Sequence, residues 1–284
     1  MRFRTTGWHA MLPILLGGLL LAGCSTTIVY NHADSLLLWQ LDRYFDLTRA
    51  QRQVLSERLD AILARHRREA LPQYESFLIQ VQTRVARGLT GGDIDWFFAQ
   101  YDRLRADLFG RFAEDGTALI RSLDDAQVRH LQEAIRNHDE QDDRLLRVAS
   151  TERLADRADR TLAWLTEWVG ELTPDQRREI TRLSLMFPDM LPGWLAHQRD
   201  RRKQLLVLVQ ARRDQVALSR GLRAWLVDPD RDASPEYVEA IGRMRQGVKQ
   251  MALSIDHSLT PEQRRHATGE LRDVIQTVRD LQVS

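Results

Sequence analysis

One short pattern occurs four times in this chain, and each copy is a way to start a helix. The copies read Leu47-Thr48-Arg49-Ala50-Gln51, Leu123-Asp124-Asp125-Ala126-Gln127, Leu172-Thr173-Pro174-Asp175-Gln176 and Leu259-Thr260-Pro261-Glu262-Gln263. Thr or Asp at the N-cap accepts a hydrogen bond from a first-turn N–H that has no partner in the helix. Gln three residues later reaches back to the cap's own N–H and completes a capping box. Proline at 174 and 261 sits at the first helical position, where its missing N–H costs nothing. Asp125, Asp175 and Glu262 complement the positive end of the helix dipole.

Apolar residues then recur at helical spacing. Gln51 leads to Leu55, Leu59, Ile62 and Leu63, Gln127 to Leu131 and Ile135, Gln176 to Ile180 and Leu183, and Gln263 to Ala267, Leu271, Val274 and Ile275. Each series makes one buried stripe per helix. No alternating apolar runs bounded by turns point to strands. The fold class expected is all-α, a multi-helix body.

The order of features also repeats. Leu71-Pro72-Gln73-Tyr74 is echoed by Leu191-Pro192-Gly193-Trp194, and the helix start expected at Asp93 is echoed by Ser234-Pro235-Glu236-Tyr237. The offsets between matching features are unequal (47 to 172, 71 to 191, 123 to 259), as loop-length drift would leave them after an old internal duplication. The expected organisation is an export signal at 1–23, a tether at 24–33, a helical half at 34–140 and a second at 141–284, with the polar segment 136–143 as solvated linker. Within the halves, the chain breaks at Leu71-Pro72, loosens near Gly116, and runs as one long helix from the Leu191-Pro192 break to about Val227.

The N-terminus reads as an export signal rather than as structure. Arg2 and Arg4 precede an apolar run from Met11 to Ala22, too short to span a bilayer comfortably. The run ends Leu21-Ala22-Gly23-Cys24, the cleavage pattern of a bacterial lipoprotein, and Cys24 is the one cysteine in the chain. Lipidation of Cys24 accounts for a lone cysteine in an exported protein. Several acyl chains, such as palmitate, hold a protein firmly on a membrane. Ser25 rather than Asp follows, which points to the outer membrane, periplasmic face. Removal of residues 1–23 takes two arginines and no acid, turning a formal charge of +1 into −1, so no electrostatic case for nucleic acid survives.

Two resemblances extend this reading. The Leu-Thr-x-x-Gln starts resemble the signature of the Spy/CpxP family, small all-helical, cradle-shaped periplasmic chaperones and stress-response modulators. Asp124 departs from that signature, where the family has Thr. The export signal, Tyr30-Asn31-x-Ala33-Asp34 and Leu41-Asp42-x-Tyr44-Phe45 resemble an uncharacterised family of bacterial lipoproteins. The first resemblance implies binding of non-native or stress-related envelope proteins; the second implies no activity. A scaffold docking on one specific envelope partner is the alternative.

Candidate chemistry is sparse. Asp228, Asp230, Asp232 and Glu239 fall at positions 1, 3, 5 and 12 of an EF-hand-like loop, but Ala233 stands where the turn needs Gly and Pro235 lacks an N–H. A calcium sensor or enzyme is therefore the least favoured reading, and no cofactor is expected beyond the lipid on Cys24. His138-Asp139-Glu140-x-Asp142-Asp143 reads as solvated, and His66 and His130 as helix-surface residues. No nucleophile elbow, phosphate loop or dinucleotide fingerprint is present. The aromatics Trp96, Tyr101, Phe112, Trp164, Trp168, Trp194 and Trp225 are expected in the core by default. Arginines beside them on a concave face would instead suit reversible capture of unfolded chains.

Overall fold

The computed structural model describes residues 30–283. The export signal, Cys24 and the first part of the tether lie outside the described residues. The described residues form twelve α-helices and no strand: α1 (Ala33–Phe45), α2 (Arg49–Glu69), α3 (Leu71–Arg87), α4 (Gly91–Arg111), α5 (Ala113–Ser122), α6 (Asp125–Leu145), α7 (Ser150–Val169), α8 (Pro174–Met186), α9 (Leu191–Gln210), α10 (Gln215–Val227), α11 (Pro235–Ser258) and α12 (Pro261–Val283). The chain is all-α. None of these helices is long and apolar enough to cross a membrane.

The caps set the boundaries. The Gln51 N–H donates to Thr48 Oγ1 at 3.3 Å while the Thr48 N–H donates to Gln51 Oε1 at 2.9 Å. Asp124–Gln127, Thr173–Gln176 and Thr260–Gln263 make the same reciprocal pair. A fifth box starts α4: Thr90, not Asp93, is the N-cap, and Asp93 closes the box from the third helical position. Asp214 caps α10 through the Ala217 N–H. That cap divides the long helix expected up to Val227 into α9 and α10. Between α4 and α5 the break comes at Phe112, so Gly116 lies inside a helix rather than in a loosened segment. Leu71 is the first residue of α3, with Pro72 in its first turn.

Segment 136–143 is not a linker, because α6 runs straight through it. Residues 140 and 141 are consecutive in that helix, so the expected boundary between halves falls inside it. The core is organised instead as lobes that exchange helices. In the first, Phe45, Leu47, Leu59, Ile120 and Leu131 of the α1–α2 and α5–α6 region surround Leu205, Val209, Leu218 and Leu222 of α9 and α10. In the second, Leu165, Val169 and Leu172 pack with Ile180 of α8, Ile255 of α11 and Ala267 of α12. Helix α3 crosses to this side, placing Leu71, Tyr74 and Leu78 against Val274, Val278 and Leu281 of α12. Helix α9 makes the matching crossing onto α6, and α4 packs against both α10 and α11. Helix α1, apolar nearly all round, buries only part of its surface and leaves Trp39 56 % exposed.

Candidate functional site

The four motifs meet in pairs. Gln51 and Gln127 exchange amide hydrogen bonds, Nε2 to Oε1 at 3.1 Å in one direction and 2.8 Å in the other. Each amide also reaches the carbonyl that precedes the partner motif's leucine: Gln51 Nε2 donates to Ser122 O at 2.9 Å, and Gln127 Nε2 to Asp46 O at 3.0 Å. Gln176 and Gln263 repeat the circuit, with mutual bonds of 2.9 Å and with donation to Ser258 O at 2.9 Å and Glu171 O at 2.7 Å. Each Oε1 accepts from its own cap N–H and from the partner amide, so the primary amide's hydrogen-bonding capacity is closely matched. Glu could not serve, since a carboxylate has no donors and two would meet at hydrogen-bond distance. The accepting carbonyls of Ser122 and Ser258 are last-turn groups of α5 and α11 that their own helices leave unpaired. Each clasp therefore ties helix starts to the helix ends beside them.

Between the lobes lies an aromatic row. Phe77 of α3 stacks on Trp96 of α4 with centroids 5.5 Å apart and lies 5.4 Å from Phe97, which meets Phe98 at 6.1 Å. All four rings are half-buried. The Arg84 guanidinium carbon sits 3.7 Å from the Trp96 centroid, and that of Arg245 5.2 Å from Phe98. Arg84 is held by Asp93 at 3.1 Å, and Arg245 by Asp102 at 2.9 Å. Hydrogen bonds from Thr90, with Arg87 beside it, hold the Asp93 carboxyl down at about 2 against the opposing effect of burial. Both guanidinium groups are thus held by carboxylates within cation–π range of the rings.

The aromatics expected in the core are not deeply buried. Trp96, Tyr101, Phe112, Trp168, Trp194 and Trp225 are half-buried and Trp164 is exposed. The deepest positions belong instead to aliphatics such as Leu71, Leu131, Val209 and Val278. Large rings reach the surface because helix packing at these sites leaves an edge uncovered.

Two histidine and acidic readings change. His66 is buried, not on the surface: its Nδ1 pairs with Tyr30 Oη at 2.8 Å and its Nε2 with Tyr74 Oη at 3.3 Å. Burial, with Arg111 and Arg67 nearby, draws its pKa down to about 4. His130 is exposed, as expected, and meets Arg43 O at 3.1 Å. The acidic cluster is not solvated throughout: Arg202, 4 % exposed, bonds Asp142 at 2.6 Å and Asp139 at 2.5 Å, and Arg199 holds Asp143 at 2.5 Å. These ion pairs staple α9 onto α6.

Asp228, Asp230, Asp232 and Glu239 are not brought together. Asp230 lies 3.4 Å from His197 Nε2, Asp232 accepts from Gln204, and Glu239 pairs with Arg243 on the exposed face of α11. Ser234 and Pro235 begin α11 there, which carries Glu239 away from the turn. Among the described residues no three His, Cys, Asp or Glu side chains are placed to hold a metal. A wide groove of about 580 Å³ opens instead beside α7, lined by Arg153, Arg157, Arg160, Asp189 and Trp194. Arg157 there donates to the carbonyls of Ser184, Phe187 and Pro188 at 2.7–3.0 Å.

Residues 43–238, from within α1 to the first turn of α11, match a family of unknown function, DUF6279. The chain belongs to that family. The match takes in the first lobe from Arg43 onward, three of the four motifs and the whole aromatic row, and stops before most of α11 and all of α12. No curated protein and no solved structure matches the chain.

Proposed function

We propose that this DUF6279 protein is a non-enzymatic, lipid-anchored binder of non-native or stress-related envelope proteins. It is held through Cys24 on the periplasmic face of the outer membrane. The carrying observation is the half-buried Phe77–Trp96–Phe97–Phe98 row with Arg84 and Arg245 fixed over it. Half-buried rings offer apolar contact to any exposed hydrophobic segment, and fixed charges keep the surface hydrated when empty. The resemblance of the four helix starts to the Spy/CpxP signature supports the same reading. So does the exchange of helices between lobes, which fits an internal duplication imitating a dimer within one chain. No nucleic acid and no cofactor beyond the lipid enter this reading.

The test is aggregation of two unrelated unfolding clients in the presence of the chain from Ser25 onward at near-stoichiometric amounts. Protection of both, lost in Trp96→Ala/Phe98→Ala with helicity retained, supports capture by the row. Protection of neither removes the general-binder reading. The second reading is a scaffold docking on one envelope partner. It is favoured by the groove beside α7, whose three arginines and Trp194 offer a more particular chemistry than an apolar row. Envelope crosslinking from position 160 that yields one reproducible adduct would support it.

A further inference from the structure

A cavity of about 160 Å³ lies inside the first lobe, away from the aromatic row. Its walls include Leu37 and Leu41 of α1, Phe109 and Phe112 at the α4–α5 break, and Leu222 and Trp225 of α10. The polar side chains on it are few, and two are occupied: the Trp225 indole N–H donates to Arg201 O at 3.0 Å, and Asp115 is bound by Arg58 at 2.8 Å. Gln40 is the third. A closed apolar cavity of about this size, lined by Leu, Ile and Phe, admits a guest of roughly six carbons; this one is open on one side, so a longer guest can leave its polar end in solvent.

Gly116 is a second observation pointing the same way. It lies inside the short helix α5 and lines the cavity, where glycine is unfavourable relative to alanine. A Cβ added there would come within 3.1 Å of Leu222 Cδ2. Its bare backbone keeps α5 and α10 close while leaving the cavity unfilled. The one ion pair at the wall, Arg58–Asp115, is self-neutralised, so the site selects for the hydrocarbon and not for a charged head.

We infer that this cavity binds the alkyl tail of a single-chain amphiphile, with the head left in solvent. Titration calorimetry of the chain from Ser25 onward with butanoate, hexanoate, octanoate and dodecanoate reads the tail directly. Affinity should rise roughly fourfold per methylene while the cavity fills, then level off. Octan-1-ol should bind within a few-fold of octanoate. Leu226 of α10 also lines the cavity, and Leu226→Phe, which enlarges that side chain, should weaken octanoate at least tenfold with helicity unchanged. Phe112→Ala, which enlarges the cavity, should move the levelling-off point to a longer chain, and this reading stands if Leu226→Phe fails to fold. Absence of saturable binding to the unsubstituted chain, affinity that climbs without a plateau, or full binding by a folded Leu226→Phe would each overturn the inference.

Discussion

The two glutamine clasps use one hydrogen-bond circuit in two settings. In the second, Gln176 and Gln263 are both buried, each 6 % exposed. In the first, Gln127 is buried but Gln51 is half-exposed, and the cap opposite Thr48 is Asp124 instead of Thr. The lobes differ in the same sense. The first lobe's core holds a cavity lined by Phe45, Leu55 and Ile120, whereas in the second lobe Leu172, Ile180 and Ile255 are buried in the core cluster beside the clasp. A hydrogen bond's net worth is modest in either place, but an unmade one is expensive only where water cannot replace it. The same side-chain geometry should therefore be a structural requirement in the second lobe and closer to a convenience in the first.

The largest effect follows from that difference. Gln176→Ala should destabilise the fold by about 3 kcal/mol, since it strands the buried Gln263 amide and leaves Ser258 O without its donor. Gln51→Ala should cost about 1–2 kcal/mol, because water reaches the groups it frees. Urea denaturation of both variants makes the comparison, and equal losses would break it. A double-mutant cycle on Gln176 and Gln263 should show coupling of about 1–2 kcal/mol, as expected for side chains in one network.

These clasps mark where local sequence signals stop. The capping boxes are legible because cap and glutamine are three residues apart, and local chemistry fixes them. Their pairing joins residues 71 to 92 apart, and no local signal carries it. One clue is present: every copy has Gln where a capping box accepts Glu equally well. An amide is needed only if the side chain must also donate. The 136–143 segment misleads for a related reason. Its charge looks solvated until Arg199 and Arg202, 56 to 60 residues away in sequence, are placed beside it. Aromatic periodicity locates helical faces but not which face a neighbour covers, so neither the half-buried row nor the buried His66 follows from it.

The junction between the lobes should respond to acid, which sharpens the contrast with the clasps. Tyr30, His66 and Tyr74 form a buried chain where α2 turns into α3. The fold holds His66 neutral, with its pKa down at about 4, whereas an unfolded chain takes up the proton near 6.5. The unfolded state thus binds more protons between those values, and stability present above pH 6.5 is lost as pH falls toward 4. The full loss is about 3 kcal/mol. His66→Gln, which keeps a hydrogen-bonding side chain and cannot titrate, should flatten the slope of unfolding free energy between pH 6.5 and 4.5. An unchanged slope would mean that the acid response arises elsewhere.

The smallest effect concerns the one irregular cap. Asp124→Thr would make this cap match those of the other three motifs, and the geometry already allows it, since Gln127 N–H reaches Asp124 Oδ1 at 2.8 Å as Gln176 N–H reaches the Thr173 hydroxyl at 3.2 Å. Asp is at least as good an N-cap as Thr, and its charge suits the helix dipole. The substitution should therefore lower stability by about 0.5 kcal/mol, more at low salt than at high salt, because only the charge contribution is screened. A gain in stability would mean instead that Asp124 is unfavourable beside Asp125, and that the first clasp is weaker by composition as well as by exposure. Measured together with Gln51→Ala, the sign of this change separates those two origins. Exposure alone leaves Asp124→Thr slightly destabilising. Composition makes it stabilising, and the loss on Gln51→Ala, measured in the Asp124→Thr variant, then rises toward the value at Gln176.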